Sequence, residues 1–196
     1  MKIGLYGGTF SPPHLGHIRA AKCFKEGGAL DKLIIMPAGI PPHKAVKSPI
    51  AQDKRLELVR LAFSDIGEVS DYEMKNEGAS YTYLTLRWLR ETYDGNIFLC
   101  MGEDMFLSLD SWRESEEIFR ECSILCLKRE RSSFEDIEQK KNEFEDKYKA
   151  RIKILTYSPL PVSSTEIRER IAKGETLNGL VSAEVEEYIL SNGLYK

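Results

Sequence analysis

The sequence predicts an α/β fold, a doubly wound sheet of parallel strands with helices on both faces, and three observations predict it. Apolar runs of strand length alternate along the chain with longer segments of helical periodicity. Glycines stand at the ends of two of those runs, at Gly7-Gly8 and at Gly102. A length of 196 residues suits one domain, which buries about 70% of its unfolded surface without disulfide or metal staples. Parallel strands need crossovers, and crossovers are right-handed, so the alternation implies a single Rossmann-like domain over residues 1–196.

Each element has its own reason. Lys2 to Tyr6 reads as the first strand, ending where Gly7-Gly8 let the backbone turn sharply and come close to a ligand. Pro12 and Pro13 stiffen the approach to a helix whose Leu15, Ile18, Ala21 and Phe24 recur at helical spacing until Gly27-Gly28. Lys32 to Met36 reads as a buried strand, followed by an irregular loop from Pro37 to Lys44. A helix from about Asp53, with apolar Leu56, Val59, Leu61 and Phe63, leads to a short strand near Glu68 to Tyr72 and a polar turn through Asn76, Glu77 and Gly78. Leu84, Trp88 and Leu89 make Tyr81 to Tyr93 helical, and Asn96 to Met101 is a strand ending at Gly102-Glu103-Asp104. Ser123 to Leu127 is a strand, Phe134 to Lys149 a charged amphipathic helix, and Ile152 to Leu155 the last strand. Two helices, Ser164 to Ala172 and Ala183 to Leu190, are separated by the stop signal Lys173-Gly174, and residues from about 164 to 192 are expected to pack on the sheet. There is no internal repeat and no linker.

Charge and cysteine usage exclude several classes of function. A net charge of −3, from 28 basic and 31 acidic side chains, offers no global field for a nucleic acid or an acidic membrane. Four cysteines without framework spacing, no charged-then-apolar leader and no apolar run of spanning length lead to the expectation of a reduced, cytoplasmic protein.

In doubly wound sheets ligands bind beyond the carboxyl ends of the strands where strand order reverses, which would bring Gly7-Gly8 beside Gly102-Glu103-Asp104. His14 and His17 follow Gly7-Gly8 one turn apart at a helix start, where two imidazoles and unpaired N–H groups would share one anion. A helix-opening turn with two surface histidines explains the same residues. A zinc site would need a third ligand from His43, a cysteine or a carboxylate, and the cysteines show no CxxC spacing, so protein-held metal is not expected. Ser163-Ser164-Thr165-Glu166-Ile167-Arg168 reads as a capping box in which Ser163 accepts from the helix and Glu166 reaches back. That box does not explain Arg168, a cation near a helix N-terminus, where the macrodipole disfavours it unless an anion binds as well. His43-Lys44 is compatible with an exposed loop, Trp112 with a core beside Leu107, Leu109 and Ile118, and Ser80-Tyr81-Thr82 with a helix cap.

The stretch GGTFSPPHLGH resembles the HxGH signature of the nucleotidyltransferase superfamily, which includes nicotinate mononucleotide adenylyltransferases, phosphopantetheine adenylyltransferases and cytidylyltransferases. SSTEIR matches the second signature of that superfamily, SSTxIR. PPHK, the SYT triplet and GEDMFLSLDSW, which is similar to GxDxxxxLxxW, select the nicotinate mononucleotide adenylyltransferase family, over a span from Lys2 to Leu194-Tyr195. Two positions depart from the family pattern: Ser11 and Leu84 stand where aspartates are usual.

The resemblance implies adenylyl transfer from ATP to nicotinate mononucleotide, with Mg2+ carried by the ATP phosphates. It implies an ATP side made of Gly7, Gly8, Thr9, Phe10, His14, Gly16, His17, Gly102, Asp104, Ser163, Ser164, Thr165 and Arg168. Within it the Thr9 backbone and His17 hold the α-phosphate, His14 and Arg168 stabilise charge on the outgoing phosphates, and Gly102 and Asp104 contact the adenosine. Lys44 neutralises the approaching phosphates, and with Ser80, Tyr81, Thr82 and Trp112 forms the mononucleotide side, the tryptophan stacking on the pyridine ring. Absence of GxxxxGK[ST] and of GxGxxG argues against a P-loop ATPase and a dinucleotide dehydrogenase. The alternatives are an adenylyltransferase for nicotinamide mononucleotide or phosphopantetheine, and a nucleotide-binding regulatory module without turnover. Oligomeric state, including a homo-oligomer, is left open by the sequence.

Overall fold

The computed structural model of the chain describes residues 1–39, 50–76, 78–129 and 134–196. Its centre is a six-stranded parallel sheet: β1 (Lys2–Gly8), β2 (Lys32–Pro37), β3 (Glu68–Val69), β4 (Asn96–Gly102), β5 (Ser123–Arg129) and β6 (Arg151–Tyr157), in the order β3-β2-β1-β4-β5-β6. The chain winds outward from β1 to β3, then returns to place β4 on the other side of β1. Strand order therefore reverses between β1 and β4, as the alternation of elements predicts.

Side-chain alternation along each strand builds the two faces. Leu33, Ile35, Leu125 and Leu127 point to one face, where α1 (Leu15–Gly27), α2 (Gln52–Phe63), α8 (Ser164–Lys173) and α9 (Ala183–Ser191) cover them with Phe24, Leu58, Phe63, Ile167 and Val185. Ile3, Leu5, Ile34, Met36 and Ile124 point to the other, beneath α4 (Thr82–Thr92), α6 (Ser115–Glu121) and α7 (Phe134–Tyr148) with Leu86, Leu89, Phe119 and Phe144. Burying such side chains is worth about 1.5–3 kcal/mol each, enough to hold helices whose own propensity is modest.

Several boundaries differ from expectation. β1 runs through Gly7 and Gly8 rather than stopping at them; the sharp turn falls at Phe10, a non-glycine residue at φ 47°. Its left-handed backbone is stabilised by burial of the ring against Tyr6, Phe63 and His17. Gly8 is a glycine because a Cβ there would press to 2.8 Å from the Phe10 ring. The segment expected as strand near Glu68 to Tyr72 is a two-residue strand followed by α3 (Tyr72–Lys75), and α5 (Glu103–Leu107), the 3-10 turn Leu109–Ser111 and α6 were not foreseen. Elements this short span too few turns for periodicity to register.

Two helical stripes also differ. The buried residues of α2 are Arg55, Leu58, Val59, Ala62 and Phe63, a true i, i+3, i+4 set, whereas Leu56 and Leu61 are half-buried. Those of α4 are Thr85, Leu86 and Leu89, with Leu84 exposed.

Candidate active site

His14 is the N-cap of α1, and its partner in the cap is His17. His17 N–H donates to His14 Nδ1 (3.3 Å) and His14 N–H donates to His17 Nδ1 (3.2 Å), a reciprocal capping box made by two imidazoles. Their rings stack with centroids 3.6 Å apart. Because each Nδ1 accepts from backbone, the neutral ring carries its proton on Nε2. Burial holds both rings neutral, lowering His14 to about 4 and His17 to about 3, the latter helped by its neighbour. The pair is thus a double Nε2–H donor.

This geometry corrects one expectation. The helix start was to offer unpaired N–H groups, yet Leu15 N–H donates to Leu180 O and His17 N–H is taken by His14. Of the first-turn donors only Gly16 N–H has no acceptor among the described residues. The His17 N–H is thus taken within the histidine pair and the Leu15 N–H by the segment before α9.

α8 is bound to the same loop from the far end of the chain. Ser164 Oγ donates to Pro12 O (2.8 Å), Arg168 Nη1 donates to Ser11 O (2.8 Å) and Arg168 Nη2 to Thr165 Oγ1 (3.1 Å). Ser163 caps the helix by accepting Glu166 N–H, but Glu166 does not reach back; its carboxylate pairs forward with Arg170. The capping box is therefore half formed, and Ser164 and Thr165 keep backbone N–H groups without an acceptor among the described residues. Gly16 packs so closely that an added Cβ would meet the His14 ring and Val162. His14, His17, Gly16, Ser163, Ser164, Thr165 and Arg168 are brought together in one place, beside Thr9 and Phe10.

On the other side of β1, Gly102 ends β4 next to the strand that carries Gly7 and Gly8. Asp104 is exposed and pairs with Arg129 (2.9 Å) at the end of β5. Ser80 does not cap α4: its hydroxyl accepts Gly39 N–H (3.0 Å), and Tyr81 stands at the N-cap position without a side-chain bond. The helix-cap explanation of Ser80-Tyr81-Thr82 therefore fails, because the hydroxyl is spent on the loop after β2. Tyr81 lies beneath the Arg113 guanidinium, 4.8 Å from its ring centroid, next in sequence to Trp112. Trp112 is half-buried against the core edge, with Leu109 and Ile118 fully buried and Leu107 exposed. Lys44, with His43 and the remainder of PPHK, lies outside the described residues.

Sequence reasoning missed Arg55 and Glu73 here, and gave Glu103 a place beside Gly7-Gly8 but no role. Arg55 is 1% exposed and donates from Nη1 to Thr9 O (2.9 Å) and from Nη2 to Ala38 O (2.5 Å). Glu73, whose pKa is raised by burial against opposing hydrogen bonds, accepts from Thr85 Oγ1 (2.7 Å). Glu103 is buried and accepts Arg129 N–H (3.0 Å), fixing the end of β5. A charged residue on the apolar stripe of α2 was the one visible signal for Arg55.

A Cytidylyltransferase-like family model matches residues 5–170. A protein of Caldicellulosiruptor saccharolyticus, named "Probable nicotinate-nucleotide adenylyltransferase", is 35% identical over 198 residues, covering 100% of both chains. One of Exiguobacterium sibiricum with the same name is 38% identical, over 100% of this chain and 99% of its own. The chain belongs to the nicotinate-nucleotide adenylyltransferase family.

The fold of this adenylyltransferase family member is also that of a solved structure, Plasmodium falciparum nicotinic acid mononucleotide adenylyltransferase complexed with NaAD. The TM-score is 0.74 at 17% identity, covering 99% of this chain and 97% of that one. Both departures from the family pattern are accommodated. Ser11 Oγ lies 3.1 Å from the Tyr195 hydroxyl, and Leu84 is on the exposed side of α4.

Proposed function

We propose that this chain transfers the adenylyl group of ATP to nicotinate mononucleotide, giving nicotinate adenine dinucleotide and pyrophosphate in NAD biosynthesis. A phosphate oxygen of the mononucleotide forms the new bond to the α-phosphorus, the bond from that phosphorus to the α,β-bridging oxygen breaks, and pyrophosphate leaves with that oxygen. No protein nucleophile takes part. Such a displacement is accelerated by positioning and by donors aimed at the developing charge.

The observation that carries this reading is the reciprocal His14–His17 cap, with α8 held against the same loop through Ser164 and Arg168. Two Nε2–H donors, Gly16 N–H, the N–H groups of Ser164 and Thr165, and the Arg168 guanidinium belong to this loop and the two helix starts joined to it, a donor set suited to a polyphosphate. In this reading His17 and the Thr9 backbone hold the α-phosphate, and His14 and Arg168 take the charge of the leaving pyrophosphate. Gly7, Gly8, Phe10, Gly102 and Asp104 line the adenosine side. Lys44 meets the mononucleotide phosphate, while Ser80, Tyr81, Thr82 and Trp112 form the pocket for the pyridine ring, with Trp112 at its edge. Magnesium enters with ATP as the substrate complex; among the described residues no three His, Cys, Asp or Glu side chains cluster to hold a metal themselves.

No described helix is long and apolar enough to cross a membrane. All four cysteines are free, so we place the protein in a reducing compartment, the cytoplasm. The test is pyrophosphate release from MgATP with nicotinate mononucleotide, nicotinamide mononucleotide and phosphopantetheine side by side. Highest kcat/KM with the nicotinate substrate is expected. Preference for another acceptor, or nucleotide binding without release, overturns the assignment.

A further inference from the structure

Arg55 is fully buried in the apolar stripe of α2, yet its hydrogen-bond partners among the described residues are neutral carbonyls rather than a carboxylate. Its Nη1 and Nη2 donate to two backbone carbonyls, Thr9 O and Ala38 O, and its Nε has no partner among the described residues. Burying a guanidinium this way is expensive, since two neutral carbonyls repay little of the lost hydration. Burial accordingly lowers its pKa, against the pull of Tyr195 and Glu73. A leucine or methionine at this position would pack the stripe at less cost.

What a guanidinium does, and an aliphatic side chain does not, is hold two acceptors at a set separation with a rigid planar fork. The two acceptors are informative. Thr9 O lies just past β1, in the loop that leads to His14 and His17. Ala38 O lies just past β2, and the next residue, Gly39, donates its N–H to Ser80 Oγ. Gly39 packs so tightly that a Cβ there would run into the Glu73 carbonyl, and Glu73 accepts from Thr85 on α4. A continuous chain of contacts thus runs from Thr9 through Arg55, Ala38 and Gly39 to Ser80, Glu73 and Thr85. Drawing Thr9 O inward also turns the N–H of the same trans peptide, that of Phe10, away from Arg55.

We propose that Arg55 is a positioning residue that sets the distance between the polyphosphate loop and the mononucleotide pocket, so that both substrates are bound with the reacting oxygen and phosphorus in line. It touches neither substrate. Its effect is on the ternary complex, where a displacement of about 1 Å costs about 10²-fold in rate, and not on either binary complex. This inference rests on the adenylyltransferase reading above.

The test is Arg55→Lys, which keeps the charge and loses the fork. Binary Kd for MgATP and for nicotinate mononucleotide is measured by titration calorimetry, kcat per folded site by steady-state assay, and Tm alongside. Expected are Kd values within about 3-fold of wild type and a kcat lower by about 30-fold or more. An unchanged kcat in the folded protein overturns the proposal. So does a loss of both affinities that tracks a fall in Tm, which is the signature of a structural role alone. If Arg55→Lys does not fold, Glu73→Ala decides, because the Glu73 carboxylate is hydrogen-bonded to Ser80 as well as to Thr85 and its loss releases the Ser80 end of the chain of contacts: kcat falls about 3- to 10-fold with both Kd values kept, or the proposal fails. Wild-type protein that releases no pyrophosphate defeats the adenylyltransferase reading, and this inference with it; active wild type with an unaffected variant defeats the inference only.

Discussion

The Tyr195 hydroxyl lies 3.1 Å from Ser11 Oγ, which fastens the penultimate residue of the chain to the loop after β1. Burial raises the Tyr195 pKa to about 12, so the hydroxyl stays neutral and able to donate or accept. Arg168 donates to the carbonyl of the same Ser11. Tyr195→Phe keeps the ring and removes one hydrogen bond, which costs about 0.5–1.5 kcal/mol by urea unfolding. A variant with unchanged stability would show that this contact closes nothing.

His17→Ala removes an Nε2–H donor and one half of the reciprocal cap. Turnover falls by about 10²-fold or more, as for loss of a donor aimed at transition-state charge. The helix survives because Ala20, Ala21 and Phe24 anchor it. Circular dichroism and a steady-state assay on the same sample check this; wild-type turnover in a folded variant removes His17 from the chemistry.

The same pair makes stability depend on pH. The folded values, about 4 for His14 and about 3 for His17, lie below the ordinary 6.5. The unfolded chain binds more protons between those limits, so the contribution is fully present above about 6.5 and is lost as pH falls toward 4 and then 3. Each histidine adds a slope of at most about 1.4 kcal/mol per pH unit in that window. Glu73, with its raised pKa, acts in the opposite direction, so the comparison is with His17→Ala, whose unfolding free energy should fall less between pH 7 and 5. Equal slopes would place the proton elsewhere.

Arg168→Ala leaves the Ser163 cap in place and removes both the guanidinium and its bond to Ser11 O. ATP KM rises by about 10-fold or more, as expected for a charge-assisted contact worth about 1.5–3 kcal/mol, with less change for the mononucleotide. Equal KM values for ATP before and after the substitution exclude it from the polyphosphate site.

Trp112 is half-buried at the edge of the core. Trp112→Ala should therefore cost well under the about 3–5 kcal/mol of a core aromatic, and should raise KM for the mononucleotide far more than for ATP. In a Trp88→Phe background, saturating mononucleotide should change the emission of Trp112. Silent fluorescence together with a large loss of stability would return Trp112 to the core.

By itself the sequence determined the order of the strands and of the longer helices, because the continuous apolar run in Leu33 to Met36 and the helical spacing in Leu15 to Phe24 are properties of near neighbours. It also singled out His14, His17, Ser164 and Arg168, whose residue types stood out beside glycine and proline in two short motifs. It misread the stripe of α2, where Leu56 and Leu61 drew attention from Arg55, and it left unpaired the Leu15 N–H that Leu180 O takes. Tertiary structure alone decided those points. Arg55 meets Thr9 across 46 residues, Ser164 meets Pro12 across 152 and Tyr195 meets Ser11 across 184. Periodicity carries no information over such separations: which polar atoms are buried together, and hence which must satisfy one another, is set only when the sheet assembles and α8 and the residues after α9 reach the loop that follows β1.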